Sequence, residues 1–182
     1  MEFVCVGDVI EESIRINAEA IDSWSVKVVK EFDADSTVET DRHKVQQILV
    51  NLISNAIDAT VKSELPTIRI VLTNQQDDIC IKIIDNGVGI PAEKLEEIFV
   101  HGFTTKKHGH GFGLHSSAIA AKVLGGSLAV HSDGETKGAT FILCLPKTAD
   151  VETGSESTAD SRLFPELNLP PSTSSSAADW RY

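Results

Sequence analysis

Apolar residues recur along this chain with two different periods, and the switches between them mark its elements. Val9, Ile10, Ile14, Ile16 and Ile21 mix helical spacing with Glu and Arg, which predicts one amphipathic helix over residues 7–21. Residues 25–32 alternate Val26 and Val28 with Lys27 and Lys30 as a strand does, and residues 33–36 break the pattern. Asp41 then stands as the N-cap of a long helix. Val45, Ile48, Leu49, Leu52, Ile53, Ala56 and Ile57 form its core stripe to about Lys62, before Pro66. β-branched runs at 68–73 and 79–84 flank the polar stretch 74–78 and predict a hairpin. Pro91 suits the first turn of a short helix reaching Ile98. The stretch 100–110 has no periodicity and holds Lys106, Lys107, His108 and His110, so it reads as a basic loop. A helix over 112–124 stops at Gly125-Gly126, and strands follow at 127–131 and 139–145.

Beyond Pro146 the chain turns to Ser, Thr, Pro and acidic residues, with too few apolar side chains to offset the entropy of ordering. Residues 147–182 are therefore expected to be a disordered tail. A net charge of −11 excludes a general nucleic-acid binder, which needs clustered Lys and Arg to neutralise phosphates. An anion must be held by local groups instead. No apolar run is long enough to span a bilayer, which predicts no direct membrane insertion, and the cysteine usage described next predicts a cytoplasmic compartment. Cys5, Cys80 and Cys144 are odd in number and widely spaced, and the last two lie in apolar strand runs. Buried reduced thiols are expected there rather than a disulfide framework or a zinc site.

The long helix carries a second stripe. Gln47, Asn51, Asn55 and Asp58 share one face, and that face is short-chained where a merely solvated one would favour Lys and Glu. Side-chain amide oxygens on such a face suit a hard cation like magnesium, although surface capping is the plainer role for such a pair. Asp85 ends an apolar strand and runs into Asn86-Gly87-Val88-Gly89, where glycines let backbone approach a ligand. A carboxylate there can accept from an exocyclic amine such as adenine's, or simply cap its own turn. Gly109, Gly111 and Gly113 precede a helix whose N-terminal amides can hold phosphate oxygens. This is not a lysine-bearing phosphate loop, and no β-α-β unit makes it a dinucleotide fingerprint.

In that order these segments resemble the boxes of the catalytic and ATP-binding domain of bacterial sensor histidine kinases, in the GHKL superfamily. Residues 51–56 resemble the N box, 85–90 the first glycine box and 98–106 the F box. Residues 109–114 resemble the second glycine box and 137–141 the last. The resemblance implies that Asn55 ligates magnesium, that Asn51 helps place the phosphates, and that Asp85 recognises adenine beside Gly87, Gly89 and Ile90. It implies that Gly109, Gly111, Phe112, Gly113 and Leu114 border the phosphates and that Thr140 lies near adenine. Phe99 and Phe103 would anchor a lid holding Thr104, Thr105 and Lys106, with Lys106 within reach of the γ-phosphate. His43, His115 and His131 read as surface or packing residues, and His101, His108 and His110 as part of the lid.

The implied fold is a two-layer α/β (α+β) sandwich: a mixed sheet of about five strands covered on one face by three helices. The implied domains are a linker helix at 1–21, the catalytic domain at 22–146 and the tail at 147–182. ATP-hydrolysing relatives such as gyrase place a Glu base where this chain has Asn51, which favours transfer over hydrolysis. No His here has the acidic and Pro neighbours of a phosphoacceptor helix, so the expected acceptor is a histidine domain on a separate or missing segment, with a response regulator downstream. Two other readings stand beside this one. The first is an ATP-binding regulatory module or truncated kinase without turnover. The second is a serine kinase of the anti-sigma-factor type, against which the Phe103-Thr104-Thr105-Lys106 run argues.

Overall fold

The computed structural model describes residues 1–32, 36–75, 77–100, 102 and 113–147. Its spine is the helix α3 (Arg42–Thr60), which begins as the sequence requires. The Asp41 carboxylate accepts from the Lys44 amide at 3.1 Å and from the Lys44 ammonium. These bonds hold the Asp41 carboxyl below its ordinary range, the side-chain bond to Lys44 most of all. Val45, Ile48, Leu49, Leu52, Ile53, Ala56 and Ile57 are all buried in one core. Each large aliphatic on that stripe contributes about 2 kcal/mol of transfer free energy.

A five-stranded sheet lies beneath, built from β2 (Lys27–Phe32), β4 (Thr67–Asn74), β5 (Asp78–Asp85), β6 (Ser127–His131) and β7 (Ala139–Pro146). Its order is β2-β4-β5-β7-β6, with β2 parallel to β4 and every other pair antiparallel. Alternation assigns Ile68, Ile70, Leu72, Ile79, Ile81, Ile83, Phe141 and Leu143 to the core. The opposite face stays partly open, with Arg69 of β4 reaching Glu31 of β2 at 3.7 Å. The helices α1 (Val6–Ile16), α3 and α4 (Gly113–Val123) occupy the core side, α1 and α4 both packing on α3. The two-layer mixed sandwich is the architecture expected.

Four elements depart from the pattern reading. A ribbon of β1 (Glu2–Cys5) and β3 (Thr37–Thr40) stands apart from the main sheet, with Val4 opposite Val38. The expected helix over 7–21 is two helices, α1 and α2 (Ala18–Ser23), parted at Asn17. The Asn17 amide donates to Ser13 O at 2.9 Å and to Val50 O at 3.4 Å, so the break is fastened to α3. Val6, Val9 and Ile10 are fully buried, and α1 is therefore packed into this core. The short helix after Pro91 is a single 3-10 turn, Ala92–Lys94.

The fourth correction concerns the thiols. Cys80 and Cys144 are joined as a disulfide, with Cα atoms 4.1 Å apart. Sixty-four residues separate them along the chain, but β5 and β7 are sheet neighbours and their register sets Cys80 directly opposite Cys144. Only Cys5 is free, and it is exposed. Among the described residues, no helix is long and apolar enough to cross a membrane. The expected tail at 147–182 lies outside the described residues beyond Lys147.

Candidate functional site

α3 acts as a ruler for the site. Asn51, Asn55 and Ala59 sit at successive turns of one face, so eight residues of helix separate the first from the last, about 12 Å of rise. Each end is abutted by a glycine. A Cβ on Gly87 would stand 2.4 Å from Ala59 O, and one on Gly113 would stand 2.4 Å from Asn51 Oδ1. Two of the sequence motifs therefore close on the same helix, one at its middle and one at its C-terminal end, where a larger residue would not fit.

At the Ala59 end the structure builds a wall from backbone. Val88 N donates to Ala59 O at 3.0 Å, Gly138 N to Gly87 O at 3.2 Å and Thr136 N to Val88 O at 2.6 Å. Ser132 ties these turns together, accepting from Ile90 N at 3.0 Å and donating to Gly138 O at 2.6 Å. Gly89 abuts the carbonyl of Gly134 in the same layer. Asn86 faces outward and holds the base of the β4–β5 pair, donating to Leu65 O at 2.8 Å and accepting from Thr67 N at 2.9 Å.

Asp85, the last residue of β5, is set into this wall and is only 5% exposed. Its Oδ1 accepts from Gly87 N at 2.8 Å. Burial raises its pKa above the ordinary carboxylate value, while the Gly87 and Ala139 amides pull the other way. A buried carboxyl with one oxygen committed to the turn can recognise an amine donor with the other.

At the Asn51 end the contacts run through side chains. Asn51 Nδ2 donates to Ser117 Oγ at 3.0 Å, which joins α3 to α4. Gly113 is the first described residue of α4, and amides in the first turn of a helix can hold an anion. Leu114 packs against the core, and His115 Nδ1 lies 2.9 Å from Phe99 O. An open depression of about 480 Å³ adjoins Asn51, with Ile16, His43, Gln47 and Val50 among its lining residues.

The structure thus brings Asn51, Asn55, Asp85, Gly87, Gly89, Ile90, Gly113 and Leu114 to one side of α3 and the turns beside it. Thr140 is not brought to Asp85. The register sets Ala139 opposite Asp85 and Thr140 opposite Ile84, and alternation turns the Thr140 side chain to the face away from the helices. Phe103, Thr104, Thr105, Lys106, Gly109, Gly111 and Phe112 lie outside the described residues.

Three contributors went unnoticed in the sequence, Ala59, Ser117 and Ser132, while Gly138 stood only as a member of the last glycine box. Ser117 carried a usable signal, since it shares helical spacing with Leu114, Ala121 and Leu124 and is the polar member of that buried stripe. The others act through backbone or a single hydroxyl and leave no pattern. Among the described residues no three His, Cys, Asp or Glu gather to hold a metal ion. A cation here would meet amide oxygens, in keeping with magnesium, which takes few protein ligands and shares itself with phosphate and water.

Residues 40–149 match the family model of histidine kinase-, DNA gyrase B-, and HSP90-like ATPases. The chain is 41% identical over 113 residues to the sensor protein CitS of Halalkalibacterium halodurans, covering 58% of this chain and 21% of that protein. It is 32% identical over 152 residues to the sensor histidine kinase ZraS of Salmonella typhi, covering 82% of this chain and 32% of that protein. The chain thus spans a third or less of the length of these relatives. The catalytic domain of histidine kinase ThkA superposes with a TM-score of 0.72 at 32% identity, covering 81% of this chain and 99% of that one. Family model, relatives and fold agree with the geometry along α3: this chain belongs to the histidine kinase-, gyrase- and HSP90-like ATPase family, as an ATP-binding catalytic domain of the sensor-kinase kind.

Proposed function

We propose that this chain binds magnesium ATP along α3 and delivers its γ-phosphoryl group to a histidine on a phosphoacceptor domain, from which a response regulator is charged. The observation that carries this reading is the pair of glycine contacts that close on α3 at Ala59 and at Asn51, with a buried carboxyl at one end and amides at the other. Adenine donates its amine to Asp85 in the Gly87–Gly138 wall. The phosphates run toward Asn51 and the N-terminal amides of α4. Asn55 holds the magnesium ion, which supplies neutralisation of phosphate charge. By the resemblance, Lys106 serves the γ-phosphate, Phe103, Thr104 and Thr105 belong to the lid, Gly109 and Gly111 serve the phosphates, and Phe112 belongs to the same nucleotide-binding box.

The chain's own residues position and exclude; the nucleophile comes with the partner's imidazole. Asn51 in place of an acidic base leaves no side chain at that position to activate water, which supports transfer over hydrolysis. The reaction is set in the cytoplasm, where ATP is supplied. The test is to incubate the purified chain with γ-labelled ATP, alone and with a dimerisation domain bearing the acceptor histidine. We expect label on that domain and none on the chain itself. Tight ATP binding with no label on any acceptor would leave a passive nucleotide module instead.

A further inference from the structure

We propose that Ser132 is a positioning residue that holds the Asp85 carboxyl at the angle that selects a base with an exocyclic amine. Its hydroxyl stands between two groups whose roles are fixed. The Ile90 amide can only donate, and it reaches Ser132 Oγ at 3.0 Å. The Gly138 carbonyl can only accept, so the hydroxyl proton lies on that 2.6 Å contact. The other contacts of the same oxygen, with N and O of Gly134, are both 3.4 Å and do not compete. One side chain thus joins the turn after β5 to the turn before β7.

Those two turns flank Asp85. The peptide that carries Gly138 O also carries the Ala139 N–H, and Ala139 lies opposite Asp85 in the β5–β7 register. That amide and the Gly87 amide both act on the Asp85 carboxyl, the latter at 2.8 Å. A carbonyl that accepts a hydrogen bond makes the N–H of its own peptide a stronger donor, so the Ser132 hydroxyl tightens the hold of Ala139 on the carboxyl. On the other side Gly87 O takes the Gly138 N–H at 3.2 Å, and Ser132 fastens Ile90 beyond it. A carboxyl only 5% exposed and held from both sides cannot swing to follow its ligand. Adenine presents an N–H donor at its 6-position, whereas hypoxanthine has a carbonyl oxygen there and moves its donor to the adjacent ring nitrogen. A fixed carboxylate accepts from the first and repels the second; a freed one re-aims at the ring N–H. Ser132 therefore sets the preference for adenine. This deepens the proposed function and rests on its assignment of the adenine amine to Asp85.

The experiment compares the affinities of the full chain for ATP and for inosine triphosphate, both with magnesium. We expect Ser132→Ala to lower the ratio of ATP to inosine triphosphate affinity by about tenfold, the scale of one hydrogen bond to a charged group. Ser132→Thr, which keeps the hydroxyl, restores the ratio. Ser132→Cys keeps a side chain of similar size but donates weakly, and it lowers the ratio in the same sense. Partial unfolding scales both affinities by one factor, so the ratio reports on the carboxyl and not on stability. An unchanged ratio in Ser132→Ala overturns the proposal, as does an equal fall for both nucleotides, which would mark a structural role. Should Ser132→Ala not fold, the Cys variant decides in the same way. If the unsubstituted chain binds both nucleotides equally, the Asp85 assignment itself fails, a result separable from any behaviour of Ser132.

Discussion

The two ends of the Asn51–Ala59 stretch of α3 meet their glycines in different ways. At Ala59 the partner is mainly backbone: Gly87 against a carbonyl, Gly138 against the carbonyl of Asp85, each fixed by main-chain hydrogen bonds. At Asn51 the partner of Gly113 is a side-chain amide bonded to the Ser117 hydroxyl. Backbone tied by main-chain hydrogen bonds has nowhere to go, whereas a side chain can rotate. The base end of the site is therefore built into the fold, and the phosphate end is adjustable. Glycine substitutions at the first should register in stability and at the second in ligand preference.

The sharpest test is Gly138→Ala. Gly138 sits at φ +69°, and a Cβ there would lie 1.9 Å from Asp85 O and 2.9 Å from the Asp85 carbonyl carbon. The left-handed backbone alone costs an alanine about 1–2 kcal/mol, and the collision must separate β5 from β7 at the wall. We expect a total loss of about 3–5 kcal/mol in denaturant unfolding of the full chain. A loss under about 1 kcal/mol would show that the wall is as yielding as the other end.

Asp85→Asn comes next, and it separates binding from folding. The amide can still accept from Gly87 but adds a donor toward the adenine amine, so ATP affinity should fall about a hundredfold, as expected for loss of a charge-assisted bond. Stability should move the other way. The folded pKa of Asp85 is raised by burial, so the folded protein holds this proton more tightly than the unfolded chain does. The stability this confers is fully present below the ordinary carboxylate pKa and is lost as pH rises through the raised folded value. Urea titrations across that window should show wild type losing ground to the variant as pH increases. A constant gap would mean that burial leaves the carboxyl unshifted.

Much of this contrast was legible in the sequence, and what was missed follows from its physics. Periodicity located α3, its Asp41 cap and the β4–β5 hairpin, because each buries a continuous stripe. It missed β1 and β3, since four-residue strands with a single buried valine each give no period to detect. It ran α1 into α2 because the break at Asn17 depends on a long-range bond to Val50. The disulfide was hidden for the same reason: only sheet order sets Cys80 opposite Cys144. Within the site, Asn51, Asn55, Asp85 and the glycines stood out through residue type. Sequence alone did not show the face of Thr140, because a strand reverses its face at each step and only the register with β5 reveals that Ala139 is the inward neighbour of Asp85.

Gly113→Ala should have the smallest effect on folding and so bounds the comparison from the other side. Its Cβ would meet Asn51 Oδ1 at 2.4 Å, Cγ at 3.0 Å and Nδ2 at 3.2 Å, all atoms of one rotatable side chain. Alanine gains up to about 1 kcal/mol over glycine in a helix, less at its first residue, while displacing the amide loses a hydrogen bond of about 1 kcal/mol. The two nearly cancel, and the unfolding free energy should change by less than about 1 kcal/mol. The Asn51–Ser117 bond should nevertheless be broken, so Gly113→Ala should lower ATP affinity while leaving adenosine affinity unchanged. Adding Ser117→Ala should lower it little further, since both release the same amide. If Gly113→Ala instead unfolds the chain as Gly138→Ala is expected to do, the phosphate end is no more adjustable than the wall, and the difference between the two ends of the Asn51–Ala59 stretch disappears.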